Sequence, residues 1–177
     1  MRIISGSLKG RIVADPKGHR THPMSEKIRG ALFNALGGIS GLTVFDPFTG
    51  TGAVAIEAVS RGAVSVLAID FDKEAFLGAS ANIKALKLEK TITILKTNTK
   101  SWSNNNLAKT FDIVIADAPF DEVNDTILEK VRRHVKPDGL YILSLPSDFT
   151  PRNKDGFELL ADKFYGDARL MFYRKSL

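Results

Sequence analysis

The 177-residue sequence predicts an α/β fold: a doubly wound, mostly parallel, seven-stranded Rossmann-like sheet with an N-terminal β-hairpin and helix extension. Three observations predict it. After Gly41, short apolar runs rich in β-branched residues alternate with helix-period segments, the pattern of buried parallel strands joined by helical crossovers. A Gly-x-Gly turn stands where the first of these runs gives way to a helix. Near the end, two β-prone runs flank Gly166-Asp167, which adds an antiparallel edge.

Residues 2–5 and 10–14 are short β-prone runs joined through Gly6-Ser7-Leu8-Lys9, which predicts a small hairpin. Pro16, Gly18 and Pro23 then break the pattern. From Ser25, an N-cap residue type, Ile28, Ala31, Leu32 and Ala35 recur at helical spacing until Gly37-Gly38, so a helix spans 25–36. Lys27 and Arg29 fall outside its apolar stripe. Strands follow at 42–46, 64–70, 91–96, 111–117 and 140–145, with helices over 52–61, 73–88 and 122–135 between them. The final strands are 157–165 and 168–175. Ser103-Asn104-Asn105-Asn106 reads as a loop, and the chain as a single domain over 1–177 with 1–37 as its extension.

An apolar share of 44% suits a globular domain, and no run approaches the roughly 18 consecutive apolar residues of a membrane span. The N-terminus lacks the apolar core of a secretory signal, so a cytoplasmic location is expected. Without cysteine there is no disulfide framework, thiolate nucleophile or zinc-thiolate site, and His19, His22 and His134 lack metal-ligand spacing; no metal is expected. The net charge of +5 is localised. Residues 1–30 carry seven basic side chains (Arg2, Lys9, Arg11, Lys17, Arg20, Lys27, Arg29) against Asp15 and Glu26, while residues 31–177 balance at 18 of each sign. A basic segment on a neutral body points to nucleic acid, with a merely solvated arm as the alternative.

The run from Val44 to Ala53 closes a strand and opens a helix, and Gly50 and Gly52 let the backbone turn sharply and approach a ligand. With Asp70 ending the next strand 20 residues after Gly50, a nucleoside-containing cofactor is expected, its ribose hydroxyls held by the carboxylate. Asp46 decides which. A carboxylate beside the turn repels a dinucleotide pyrophosphate but suits the cationic ammonium and sulfonium of S-adenosylmethionine.

The run 111–116 delivers Asp117-Ala118-Pro119-Phe120 at a strand's carboxyl end, where open parallel sheets bind ligands. This segment resembles the Asp/Asn-Pro-Pro-Tyr/Phe motif of methyltransferases acting on base amines. With Arg2 to Gly6, Lys9-Gly10-Arg11, Pro23 to Arg29, Ala31 to Asn34, Phe48 to Gly52, Ile56-Glu57-Ala58 and Ser60 to Ala63, the chain is similar to the RsmD family of bacterial 16S ribosomal RNA guanine-N2 methyltransferases, from residue 2 to about 120 and more loosely beyond. The resemblance implies a class I methyltransferase that uses S-adenosylmethionine on a guanine amine of 16S ribosomal RNA or the assembling small subunit, as a monomer. It implies that Phe48, Gly50 and Gly52 form the cofactor loop, that Asp70 takes the ribose, that Asn98 faces the adenine, and that Pro23 and Ser25 cover the methionine end. Asp117 to Phe120 would hold the base, and Arg2, Lys9, Arg11, His22, Lys27 and Arg29 would contact RNA.

Chemistry explains these residue types. The guanine amine has its lone pair delocalised into the ring and attacks poorly until acceptors hold its N–H bonds and favour a tetrahedral nitrogen. Asp117 and the Ala118 carbonyl supply two acceptors, and Phe120 fixes the base plane by stacking. The sequence departs from the family pattern at Ala118, His22 and Gly30, where a proline, a basic residue and an acid are expected. A second reading keeps the fold but not the turnover, as an RNA-binding or ribosome-assembly protein.

Overall fold

The computed structural model describes residues 1–15, 24–121, 123–151 and 155–177. In chain order its elements are α1 (Glu26–Leu36), β1 (Thr43–Asp46), α2 (Ala53–Ser60), β2 (Ser65–Asp70), α3 (Lys73–Ala85), β3 (Ile92–Lys96), α4 (Thr99–Asn105), β4 (Phe111–Ala116), α5 (Asp125–Arg132), β5 (Val135–Pro146), β6 (Phe157–Tyr165) and β7 (Ala168–Lys175). The strands form one sheet in the order β3-β2-β1-β4-β5-β7-β6. β1 to β5 pair in parallel, and β7 runs antiparallel between β5 and β6.

The middles of the central strands are apolar on both sides because both sheet faces are covered. In β1, Val44 joins one core with Leu32, Phe33, Ile56 and Ile83, while Phe45 joins the other with Trp102, Leu128 and Val131. β4 repeats the alternation, Ile113 and Ile115 on the first side and Val114 and Ala116 on the second. Helices α1 to α3 thus supply one layer, and α4 and α5 the other.

The N-terminal hairpin exists in reduced form, as an antiparallel bridge between Arg2 and Ile12 with Ile3 N–H donating to Arg11 O at 2.9 Å. Its principal contacts are with α2. The Glu57 carboxylate, wholly buried, accepts from the N–H groups of Ile4 at 2.9 Å and Ser5 at 3.1 Å and from Arg61 Nε at 2.9 Å. Ser60 extends the seam, its carbonyl accepting from Ser7 N–H at 2.8 Å and its hydroxyl donating to Ser5 O. Gly6 is required here, because at φ +84° an added Cβ would stand 1.8 Å from the Ser60 carbonyl oxygen.

Arg29, expected among the RNA contacts, is instead fully buried. It shares the inward face of α1 with Leu32 and Phe33, at i+3 and i+4. Its guanidinium donates to Arg2 O at 2.6 Å and Met24 O at 3.3 Å and lies 3.6 Å from Glu57. Gly30, also buried, has Ile4 as the neighbour a Cβ would meet, at 3.4 Å.

Two further differences from expectation have local causes. Of the polar run 103–106, Ser103 to Asn105 belong to a helix rather than a loop: Asn98 caps α4, Trp102 inserts against Phe45 at a ring distance of 4.8 Å, and buried Ser103 donates to Lys130 O at 3.0 Å. β5 begins at Val135, before the expected 140, because Gly139 lets the chain pass Asp112 O, which a Cβ would meet at 2.9 Å.

Glu57→Ala strands the buried Arg29 guanidinium and frees two backbone donors, so it should lower the unfolding free energy by about 3–5 kcal/mol. Arg174→Ala, which breaks an exposed pair with Asp138 at 3.7 Å, should cost less than about 1 kcal/mol. Urea titration of the two variants checks the contrast.

Candidate active site

The sheet reverses direction of winding between β1 and β4, and a cavity of about 740 Å³ opens there at the carboxyl edge. Met24, Ser25 and Ile28 wall it from α1, and Phe48 to Thr51 from the loop after β1. Asp70 and Phe71 enter from β2, Thr99 from α4, Asp117 to Asp121 from beyond β4, and Ser144 from β5, while Asp167 and Ala168 close the rim from the β6–β7 turn.

The Gly-x-Gly turn is built as its residue types require. Gly50 and Gly52 have φ of +53° and +78°, and Gly52 stands so near α3 that a Cβ would meet that of Ala79 at 3.3 Å. Gly50 N–H donates to Asp70 Oδ2 at 2.9 Å, and Asp72 N–H to Asp70 Oδ1 at 2.9 Å, so this carboxylate orients the loop while facing the cavity. Asn82 of α3 donates to Thr51 O at 3.0 Å and exchanges two hydrogen bonds with the backbone of Ala14. The N-terminal segment is thereby tied to the back of the loop.

Asp46 lies beneath this loop, fully buried, rather than on the cavity wall. Thr49 Oγ1 donates to its Oδ2 at 2.7 Å, and its Oδ1 is buried without a hydrogen-bond partner. Burial raises its pKa to about 7; the nearby Asp117 and Asp70 charges add to the rise, and the Thr49 hydrogen bond opposes it. Asp117 is pushed up to about 6 by burial, against a lowering hydrogen bond from Ser144. Asp70 is raised too, chiefly by burial. No lysine, arginine or histidine among the described residues lines the cavity. The site therefore suits a cation.

Of the residues expected at the site, Ser25, Phe48, Gly50, Asp70 and Asp117 to Phe120 line this one cavity. Ser25 also caps α1, accepting from Ile28 N–H at 3.2 Å. Asn98 does not line the cavity: it is an exposed N-cap, its Oδ1 accepting from Ser101 N–H at 3.1 Å, and the next residue, Thr99, takes the position on the wall. The expectations for Pro23 and His22 lie outside the described residues. Arg2, Lys9, Arg11 and Lys27 are exposed, and Arg29 is not. Sequence reasoning missed Ile28, Phe71, Thr99 and Ser144. Phe71 was within reach, since it follows Asp70 directly and its aromatic side chain is 51% exposed.

The strand order, with antiparallel β7 inserted beside β5, and a cavity beside a Gly-x-Gly turn define a Rossmann-like class I methyltransferase fold. Residues 1–174 match the family described as Conserved hypothetical protein 95, and the chain belongs to it, the RsmD family. Ribosomal RNA small subunit methyltransferase D of Buchnera aphidicola subsp. Acyrthosiphon pisum is 35% identical over 121 residues, 68% of this chain and 63% of that relative. The matches to two further curated relatives cover 50% and 61% of their lengths, so the chain spans less than two thirds of these relatives. The Escherichia coli protein yhhF, a methyltransferase by assignment, superposes with a TM-score of 0.85 at 25% identity, over 99% of this chain and 98% of that one. SMU.776, solved in complex with SAH, shares the fold at a TM-score of 0.69 and 18% identity, over 84% of this chain and 48% of its own.

Because folded Asp46 and Asp117 hold their protons to about pH 7 and about pH 6, these two sites bind more protons in the folded than in the unfolded chain above about pH 4, and they outnumber His134, whose pKa burial lowers and which acts in the opposite sense. Stability without ligand should therefore fall as pH rises from about 4.5 to 7.5. At Asp112 burial raises the pKa, but the hydrogen bonds from Thr43 and Lys136 and the lysine charge together outweigh it and lower the pKa, so this group acts in the opposite sense only below that window. Thermal melts should show the decline in wild-type protein and a flatter profile in Asp46→Asn; a wild-type melting temperature that rises across this range would contradict the electrostatic description.

Proposed function

We propose that this chain methylates the exocyclic amine of a guanine in small-subunit ribosomal RNA, with S-adenosylmethionine as methyl donor. The observation that carries the reading is a buried acidic edge without a counterion, beside an acceptor-rich Asp-Ala-Pro-Phe segment in the same cavity. Membership of the RsmD family and the RNA methyltransferase relative support it.

The residues fit the donor. Asp70 offers its remaining lone pairs to ribose hydroxyls, and the glycine turn lets backbone approach the nucleoside. The orphaned Asp46 Oδ1 suits the methionine ammonium, directly or through water. S-adenosylmethionine supplies an electrophilic methyl group: as the N–C bond forms, the C–S bond breaks with its electron pair left on sulfur, and the amine gives up one proton. Asp117 and the Ala118 carbonyl accept the amine N–H bonds and localise the lone pair on nitrogen; Asp117 can then take the departing proton. Phe120, 45% exposed at the mouth, offers a face for an unstacked base.

The RNA approaches over the N-terminal segment, where Arg2, Lys9, Arg11 and Lys27 stand in solvent. His22 and Pro23 keep their proposed roles on the resemblance alone. The protein acts in the cytoplasm, as one 1–177 unit and as a monomer, on free 16S RNA or a partly assembled subunit.

Asp117→Ala should reduce methyl transfer roughly 100-fold or more while leaving S-adenosylmethionine affinity within about threefold, since the carboxylate acts on the amine rather than on cofactor binding. The assay is labelled-methyl incorporation into ribosomal RNA and small subunits from a strain lacking the protein, read by nucleoside mass spectrometry as N2-methylguanine. Wild-type protein that binds both RNA and cofactor but transfers nothing would favour the non-catalytic alternative.

A further inference from the structure

Ser144 is a hydroxyl in a strand that otherwise buries apolar residues. Its neighbours Leu143 and Leu145 are sealed in the core, and Ser144 itself is 3% exposed. The last parallel rung between β4 and β5 pairs Ala116 with Leu143, so the next rung sets Asp117 beside Ser144. Both side chains border the cavity, so the serine hydroxyl stands beside the Asp117 carboxylate across the seam. A hydroxyl withdrawn from water in a strand interior is unfavourable without a partner, and this carboxylate is the partner the fold provides.

From this geometry we infer that Ser144 is a positioning residue for methyl transfer: by donating to one Asp117 oxygen across the β4–β5 seam, it turns the other toward the substrate amine and keeps the carboxylate an acceptor. The inference rests on the function proposed for Asp117 and adds a residue that the sequence motif does not contain.

The surroundings make that one hydrogen bond consequential. The charged groups facing Asp117 are all acidic: Asp46 at the end of β1, Asp70 at the end of β2, Asp121 beyond β4 and Asp167 in the β6–β7 turn. No basic side chain among the described residues lines this cavity. Burial favours a protonated Asp117, and the serine hydroxyl opposes it. A protonated carboxyl would turn an O–H toward the amine and lose an acceptor. An alanine at this rung would occupy nearly the same volume and leave β4–β5 pairing intact, so the effect of the hydroxyl is separable from that of the strand.

Two variants test this, Ser144→Ala and Ser144→Thr, the second keeping a hydroxyl on the same carbon. In the free protein, carbon-detected NMR titration of the Asp117 carboxyl should show its midpoint moving up by roughly one pH unit in the alanine variant and returning in the threonine variant, as expected for one charge-assisted hydrogen bond. In the methyl-transfer assay the acid limb of kcat should move upward by the same amount. The high-pH plateau should fall in the alanine variant, because the carboxylate is no longer aimed, and recover in the threonine variant. An alanine variant with the wild-type NMR midpoint, or one whose acid limb does not move, would overturn the assignment. If wild-type protein transfers no methyl group, the proposed function fails, and the NMR midpoint still decides whether Ser144 controls Asp117.

Discussion

Three carboxylates converge where the sheet winding reverses, Asp70 and Asp117 on the cavity wall and Asp46 buried beneath it, and no basic side chain among the described residues lines that cavity. Each has local hydrogen-bond donors instead of a counterion: Thr49 for Asp46, the Gly50 and Asp72 N–H groups for Asp70, Ser144 for Asp117. Such donors hold the side chains in place without neutralising them. Burial then raises all three pKa values, and the fold carries a standing electrostatic penalty at neutral pH. A ligand bearing a sulfonium and an ammonium relieves that penalty on binding, which favours it over a neutral or anionic nucleotide without any dedicated basic clamp.

The same loop is held from behind by the N-terminal segment. Glu57, Ser60 and Asn82 fasten residues 4–14 to α2 and α3, and Asn82 reaches both Ala14 and Thr51. The exposed cations Arg2, Lys9 and Arg11 therefore ride on a platform bonded to the glycine turn. Phosphate contacts made there would register the RNA against the cavity, leaving recognition of the base to Asp117 and its neighbours. Arg29 contributes to the platform from inside, through its carbonyl partners and Glu57.

Much of this was legible in the sequence, where the chemistry is local. Alternating apolar runs and helix-period segments marked every strand of the sheet, because strands buried on both faces must be continuously apolar. Gly50, Gly52, Asp70 and Asp117 were readable because a tight strand-to-helix turn and a strand terminus dictate residue type at fixed spacing. What failed depended on partners distant in sequence. Arg29 looks like a surface cation until Glu57, 28 positions on, is brought to its side. α4 is short and polar, held by Trp102 and a cap rather than by periodicity. Asn98 looked like a base contact, but its amide caps the helix. Ser144 carries no signal at all in a strand of leucines, since its partner lies across a parallel seam.

The most direct test of the central claim is calorimetry of S-adenosylmethionine binding near pH 6.5 in two buffers of different ionisation enthalpy. Cofactor charge seated over Asp46 must lower its pKa, so binding should release protons, up to roughly one per molecule, and the release should vanish by about pH 8.5. Absence of binding, or proton uptake near pH 6.5, would contradict the account.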